Sequence, residues 1–299
     1  MTKPIGWELY RSFLAVLAEG SLSGAARALD ITQPTVGRHI AALERALGQV
    51  LFTRSQTGLL ATDAAQSLRG YAEAMHSHAA ALERAAAAQG PGVAGTVRVS
   101  ASEVIGIEVL PPALARLRQE HPRLTIELAP TNRVQNLLLR EADIAVRMAP
   151  PRQEQLIARS VGQVEIGLYA RKDYLRRCGT PATLADLASH ALIGYDTETP
   201  FLRGASKRFP IPWGRERFAL RADSDLAQLA LIRAGAGIGV CQVALARRDR
   251  QLVRVLPDQA AFQLDTWITM HEDLRASPRC KTVFDALVAC LLAHTGAAG

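Results

Sequence analysis

The chain has little of what marks a secreted, metal-bound or membrane protein. Four cysteines occur in 299 residues (Cys178, Cys241, Cys280 and Cys290), far apart and with no Cys-x-x-Cys pair. That spacing argues against a disulfide framework and against a zinc site. The thiols read as reduced and ordinary, with a redox pair assembled by the fold as the alternative. The longest apolar stretches, such as Ala227 to Ala236, are far shorter than a membrane span and are interrupted by Arg233. Met1 to Gly6 carry one Lys and no apolar run, so no secretory leader is expected. A soluble, cytoplasmic protein with no membrane partner is the expectation. Aromatic residues make up only 5%, and frequent alanine runs tip the balance toward helix.

Signatures of catalysis are also missing: there is no Gly-x-Ser-x-Gly, His-Glu-x-x-His or phosphate-loop lysine motif. Gly235-x-Gly237-x-Gly239 resembles part of a dinucleotide fingerprint. It follows a helical pattern, precedes a strand and lacks the third glycine, so the required strand–turn–helix context is absent. His76 and His78 fall on a long helix and read as solvated side chains. No catalytic residue, metal or cofactor is therefore expected. Charge is not concentrated either. The net charge is +7, but residues 1–89 hold 8 Lys+Arg against 7 Asp+Glu, while residues 90–299 hold 27 against 21.

What is present is a strong local pattern. Leu9, Phe13, Val16 and Leu17 lie on one face of a helix from Trp7 to Glu19 that Gly20 ends. Ser23 stands as an N-cap ahead of a short second helix, and Thr32 as the cap of a third, with Pro34 in its first turn. Val36, Ile40, Leu43 and Leu47 give the third helix one buried stripe, and Gly48 stops it. Two helices joined by a tight turn, the second exposing its N-terminal polar residues, follow helix-turn-helix logic. Val50–Arg54 and Gly58–Leu60 read as a two-stranded wing. From an N-cap at Thr62, residues 62–89 form a long helix whose Leu68, Tyr71, Met75, Ala79 and Leu82 make a narrow seam suited to pairing with a second copy. Gln89-Gly90-Pro91-Gly92 breaks the chain.

Beyond residue 95 strands and helices alternate. Strands are expected at 96–101, 124–129, 143–147, 156–161, 164–170, 191–195, 218–222, 238–241 and 266–270. Helices are expected at 110–120, 134–140, 225–234 and 279–293. Such alternation predicts a mainly parallel sheet in two α/β lobes with a cleft between them. Ligands in such sheets sit at the carboxyl ends of strands.

Several runs together resemble the DNA-binding domain of the LysR family of bacterial transcription regulators. They are Ser23-Gly24-Ala25-Ala26-Arg27-Ala28-Leu29, Gln33-Pro34-Thr35-Val36, Ile40-Ala41-Ala42-Leu43-Glu44, Leu47-Gly48 and Leu51-Phe52-Thr53-Arg54. Leu110-Pro111, His121-Pro122, Glu141-Ala142-Asp143-Ile144-Ala145 and Gly235–Gly239 fall where that family's effector domain places such residues. The resemblance implies an α/β chain with an all-α winged helix-turn-helix domain at 1–61 and a dimerisation helix at 62–89. It also implies a two-lobed, periplasmic-binding-protein-like effector domain at 90–299, with lobe I about 93–163 plus 267–299 and lobe II about 164–266. The partners implied are double-stranded DNA, a small-molecule effector in place of a cofactor, and a second copy as dimer or tetramer. RNA polymerase is a further candidate partner. One departure stands out: Gly37 replaces the usual serine after the Gln-Pro-x-Val run, with His39 nearby as a compensating contact or a solvated residue.

Gln33, Thr35 and Arg38 project from the first turns of the third helix, where Gln pairs with adenine and Arg with guanine. Pro34 offers an apolar surface to a thymine methyl, Ser23 and Thr32 lie at helix starts near phosphate, and Arg54 on the wing is a phosphate or minor-groove contact. For the effector, strand ends nominate Ser100 and Ser102, Thr131, Arg147 and, before a second-lobe helix, Ser224. Arg147 would supply charge to an anionic effector. The rival readings are a small-molecule-binding α/β protein or an enzyme without a DNA role. A solute-binding transport protein shares the two-lobed architecture but carries no helix-turn-helix.

Overall fold

The computed structural model of the chain describes residues 5–55, 58–86, 92–132, 142–151, 156–198, 203–204 and 214–297. The helix expected at 134–140 and the break at 89–91 lie outside those residues. Two compact units form, one ending at Ala86 and one built from the residues after it.

The first unit packs α1 (Trp7–Glu19), α2 (Leu22–Leu29) and α3 (Gln33–Leu47) around Phe13, Val16, Ala25, Val36, Ile40 and Leu43. Gly20 ends α1 in the left-handed conformation, φ 64°, donating its N–H to the Val16 carbonyl. The cap of α2 is Ser21 rather than the expected Ser23: the Ser21 hydroxyl accepts from Gly24 N at 3.1 Å, and Ser23 lies exposed in the first turn. Both serines precede the same apolar pattern, and the earlier one wins because Leu22 is already helical. Thr32 occupies the cap position of α3, yet its hydroxyl bonds the Thr35 hydroxyl at 2.9 Å instead of a backbone N–H.

The wing is the antiparallel hairpin β1 (Phe52–Ser55) and β2 (Gly58–Ala61). It is held to the helices at both ends. The Glu44 carboxylate of α3 accepts from Leu51 N at 2.7 Å and Phe52 N at 3.3 Å. Leu59 N donates to the Gly20 carbonyl at 2.8 Å, and a Cβ on Gly58 (φ 139°) would stand 2.5 Å from that same oxygen. Only glycine fits there. Thr62 then donates its hydroxyl to the Val50 carbonyl at 2.8 Å and caps α4 (Asp63–Ala86) by accepting from Ala65 N at 3.2 Å. Along α4, Leu68 packs on the unit's core while Tyr71, Met75 and Leu82 stand exposed.

In the second unit the strands β3 (Gly95–Ala101), β4 (Leu124–Pro130) and β5 (Ile144–Arg147) form a parallel set, with a π-helical turn (Ile105–Val109) and α5 (Pro111–Glu120) after β3. The two strands expected at 156–161 and 164–170 are one, β6 (Leu156–Arg171), and the strand expected at 266–270 is the latter half of β11 (Ala261–His271). Gly162 marks the middle of β6: its φ is 93°, and a Cβ would come within 2.8 Å of Thr295 Oγ1 and Ala297 Cβ. The chain passes through Gly162 without leaving the sheet.

β6 and β11 pair antiparallel along most of their length, with a bulge between Asp265 and Trp267. The seven-stranded sheet runs β10-β6-β11-β5-β3-β4, where β10 is Leu252–Val255, and β9 (Gly239–Gln242) adds to β6. The sheet is therefore mixed rather than mainly parallel. Among the described residues, parallel pairing joins β3 to its neighbours and β7 (Leu192–Gly194) to β8 (Phe218–Arg221), with one isolated parallel bridge between Leu192 and Ile238.

One core, around Val97, Val99, Leu124, Ile144 and Ile268, is closed by α9 (Pro278–Thr295), whose Val283, Leu287 and Leu291 are buried. At roughly 1.5–3 kcal/mol for each such aliphatic side chain, this helix is a main stabiliser of its lobe. The other lobe has two cores, around Leu168, Tyr174 and Leu192 on one side and Ile193, Ile232 and Val243 on the other. Into the latter pack α7 (Asp225–Arg233) and the short α8 (Val243–Ala246).

A polar chain ties the lobes together behind α7. Arg233 grips Glu108 through two bonds of 2.7 and 3.0 Å, and Arg248 donates to the Glu108 carbonyl at 2.9 Å. The Arg233 guanidinium holds the Glu108 carboxyl below the ordinary carboxylate range. Arg248 also reaches His294 Nδ1 at 3.3 Å, while His294 Nε2 meets Gln242 Oε1 at 2.8 Å. Those partners select the neutral tautomer that donates from Nε2 and accepts at Nδ1. Burial, aided by the Arg248 charge, lowers the imidazole's pKa to about 4.

Two expectations follow from these contacts. Gly37 is interior to α3, and a Cβ there would meet only Leu22 Cδ1, at 3.8 Å. Gly37→Ala should stabilise the N-terminal unit by about 1 kcal/mol, the helix-propensity difference, seen as a raised thermal midpoint. For His294 the folded state resists protonation that the unfolded chain accepts from about pH 6.5 downward. Stability is full above that pH and falls as pH drops toward 4, by on the order of 2 kcal/mol between pH 7.5 and 5. Urea midpoints of the second unit should show this slope, and His294→Gln should flatten it.

Candidate functional site

Two sites are built from the expected residues. On the first unit, the exposed face of α3 carries a row at i, i+3 and i+6. Thr32 bonds Thr35, and Arg38 Nη2 donates to the Thr35 hydroxyl at 3.2 Å. The side chains form a connected line of hydrogen-bonding groups on the helix face away from Val36, Ile40 and Leu43. Gln33 and Pro34 are exposed in the first turn, and Arg54 is exposed on β1 opposite Leu59. His39 does not belong to this face: its Nδ1 lies 2.8 Å from the hydroxyl of fully buried Ser12, so it fastens α3 to α1.

On the second unit the nominated residues separate into layers. Arg147, at the end of β5, donates from Nη2 to the Ser100 hydroxyl at 2.6 Å and from Nη1 to the Val146 carbonyl at 2.8 Å. Ser100 is completely buried. It serves as a seat for the guanidinium and is not itself open to a ligand. Ser102 and Thr131 lie just past β3 and β4, where Thr131 N donates to the Ala101 carbonyl at 2.8 Å and the Ser102 carbonyl accepts from Gly106 N at 2.8 Å. Ser224 caps α7, accepting from Ala227 N at 3.4 Å, and donates to Glu103 Oε2 at 2.9 Å.

That last bond belongs to a cluster that sequence reasoning missed. Asn132 accepts from Glu103 N at 3.1 Å and donates to Asp225 Oδ2 at 2.8 Å, while the Tyr195 hydroxyl donates to Asp225 Oδ1. Burial raises the Asp225 carboxyl above its ordinary range despite those two donors, and burial together with the Asp225 charge raises the Tyr195 phenol. Glu103, Asn132 and Asp225 each adjoin a nominated residue. The position at the strand end was legible, but the pairing across the lobes was not.

The cysteines lie apart from both sites and none forms a disulfide; burial pushes the Cys241 thiol up to about 12. Among the described residues, no helix is long and apolar enough to cross a membrane.

Comparison with known proteins fits this geometry. Residues 7–66 match the family described as the bacterial regulatory helix-turn-helix protein, lysR family, and residues 90–291 match the LysR substrate binding domain. The probable HTH-type transcriptional regulator LtrA of Klebsiella pneumoniae is 25% identical over 287 residues, 92% of this chain and 91% of the relative. The HTH-type transcriptional activator AaeR of Escherichia coli (strain K12) is 27% identical over 233 residues, 76% and 74% of the two chains. Among solved structures, CbnR, a LysR family transcriptional regulator, superposes with a TM-score of 0.66 at 22% identity, covering 96% of this chain and 99% of that one. The full-length virulence activator AphB of Vibrio cholerae gives 0.62 at 22%, covering 95% and 99%. With both matched domains in order along the chain, it belongs to the LysR family and is a LysR-type transcriptional regulator, pairing a helix-turn-helix DNA-binding domain with an effector-binding domain.

Proposed function

We propose that the Thr32–Thr35–Arg38 row, with Gln33 and Pro34, enters the major groove, and that Arg54 on the wing and Ser23 at the start of α2 contact the backbone. The observation that carries this reading is the connected, exposed row on α3. Among the described residues its side chains hydrogen-bond only one another, and so can exchange those bonds for base edges at little cost. Tyr71, Met75 and Leu82, exposed along one side of α4, would pair with a second copy. A dimer presents two recognition helices to two half-sites, and tetramers and contact with RNA polymerase would build on it. The protein acts in the cytoplasm, as a regulator and not as an enzyme. Its ligand is a signal, not a cofactor.

The effector would sit where the strand ends of the two lobes meet, between Arg147, Ser102 and Thr131 on one side and Ser224 on the other. Arg147 is pre-oriented by buried Ser100, and a guanidinium fixed in this way favours a carboxylate or similar anion. The Ser224–Glu103 and Asn132–Asp225 bonds are the contacts such a ligand would compete with or reinforce.

Footprinting on the DNA upstream of the protein's own gene should show two protected half-sites. Arg38→Ala should weaken binding by about 1–3 kcal/mol and relax discrimination at one base pair. Arg54→Ala should weaken binding to all sequences alike and lower the salt slope by about one. Equal loss on specific and random DNA in Arg38→Ala would remove α3 from base reading. In a screen of small metabolites on the full chain, anionic compounds should shift the footprint, and Arg147→Ala should cost them at least tenfold in affinity. Response to neutral compounds alone, unchanged in that variant, would overturn the anionic reading.

A further inference from the structure

The α3 face and the lobe junction leave part of the charge unexplained, because the basic surplus of the chain lies in residues 90–299, with 27 Lys+Arg against 21 Asp+Glu. Three of these arginines gather on the second lobe. A cavity of about 310 Å³ opens there, lined by Arg247, Arg250 and Arg254, with Tyr169, Val243 and Leu252 among its walls. It shares no lining residue with the junction built from Glu103, Asn132, Tyr195, Ser224 and Asp225.

The sheet dictates this gathering. In the register of β10 on β6, Arg254 stands opposite Tyr169 and Leu252 opposite Arg171. Alternation sends Val253 and Val255 to the core around Leu168, and Leu252 and Arg254 to the other face, toward α8. The turn leaving α8 then brings Arg247 and Arg250 over the same face. Arg254 pairs with Glu165 on β6, but its Nε is buried with no hydrogen-bond partner. Arg247 and Arg250 are exposed, and their side chains make no hydrogen bond or ion pair among the described residues. The acid in the lining, Asp249, is engaged with Gln251 N at 2.9 Å. The charges of Arg254 and Arg247 both act on the Tyr169 phenol, opposing the upward push of its burial. All three arginines line the same cavity, with Arg247 and Arg254 beside the Tyr169 ring.

Such a cavity combines cations with an apolar wall, in the volume range of small-ligand sites. Inorganic phosphate would satisfy the charge and waste the wall. An apolar neutral molecule would leave the Arg247 and Arg250 guanidinium groups without a counter-charge, since only Arg254 is paired, with Glu165. We propose that this cavity is a second ligand site, apart from the lobe junction, that takes a small organic carboxylate with an apolar body. Arg247 and Arg250 bind the carboxylate, Arg254 supports them, and Tyr169, Val243 and Leu252 hold the body.

Calorimetry on the full chain tests this, with phenylacetate as the probe and phenylacetamide and inorganic phosphate as comparisons. The Arg147→Ala chain serves as the parent, so that the lobe junction is weakened. Phenylacetate should bind saturably, once per chain. The Arg247→Ala/Arg250→Ala pair should weaken it at least tenfold while leaving the urea midpoint unchanged, since both side chains are exposed. Phenylacetamide and phosphate should each bind at least tenfold more weakly. Phenylacetate binding that is absent, or that survives loss of both arginines, would overturn the proposal. So would equal binding of phenylacetamide, which reads a bare apolar hole, or of phosphate, which reads bare charge. Binding seen in the natural chain but lost in Arg147→Ala would also overturn it, while supporting the lobe-junction reading.

Discussion

The antiparallel pairing of β6 with β11 is the constraint from which the second unit takes its form. Ala261 to Leu264 pair with Gly167 to Val164, and Trp267 to His271 pair with Ser160 to Leu156. The two strands are thus continuous through both lobes, one end in the core of Ile144 and Ile268 and the other in the core of Leu168. Between the ends the ladder is interrupted by the bulge at Asp265/Trp267, close to Gly162 on the partner strand. A ladder that breaks register at one point bends there more readily than elsewhere. The pair therefore supplies both the connection between lobes and the place about which they can turn. β5, with Arg147, flanks the pair on one side, and β9 and β10 flank it on the other.

The polar groups divide by whether their bonds can be exchanged. Behind α7, Arg233, Glu108, Arg248, His294 and Gln242 form a chain in which a fixed tautomer and a bidentate ion pair fill the hydrogen-bonding capacity. Removing one member leaves a partner buried and unmatched, which costs more than the bond itself contributes. At the strand ends the bonds also run between the lobes, but singly, as in Ser224 to Glu103 and Asn132 to Asp225. On α3 they are fully exposed and run between neighbours. Exchangeability thus rises from the locked network, through the effector junction, to the reading face.

How much of this was legible in the sequence depended on the range of the interaction. Helices α1 and α3 were readable to the residue, since apolar spacing and a terminal glycine are local signals. Ser21 and Ser23 could not be separated by pattern, because both precede the same helix and only backbone geometry decides. The break expected between 161 and 164 contains Gly162, whose φ is positive within an unbroken strand. Here the cause is the close approach of Thr295 and Ala297, 133 or more positions away in sequence but adjacent in space. Arg147 and Ser224 were nominated because strand ends and helix caps are local signals. Their partners Ser100 and Glu103 lie 47 and 121 positions distant, and no spacing rule reports a bond of that kind.

Charge placement, more than charge total, explains how the first unit meets DNA. Residues 1–89 carry almost balanced charge, which by itself would argue against a polyanionic partner. Yet two of the seven acids are occupied within the fold: Glu44 accepts from two wing N–H groups, and Glu73 is paired with Arg69. Arg38 and Arg54 remain on the exposed face. Two phosphate-length cations correctly placed are enough to set register on a duplex, whereas a diffuse surplus gives only sequence-independent attraction that salt removes. The same reasoning runs in reverse on the second unit. There the surplus is larger, and three of its arginines gather at a cavity with apolar walls, a shape that suits one small anion and not an extended backbone.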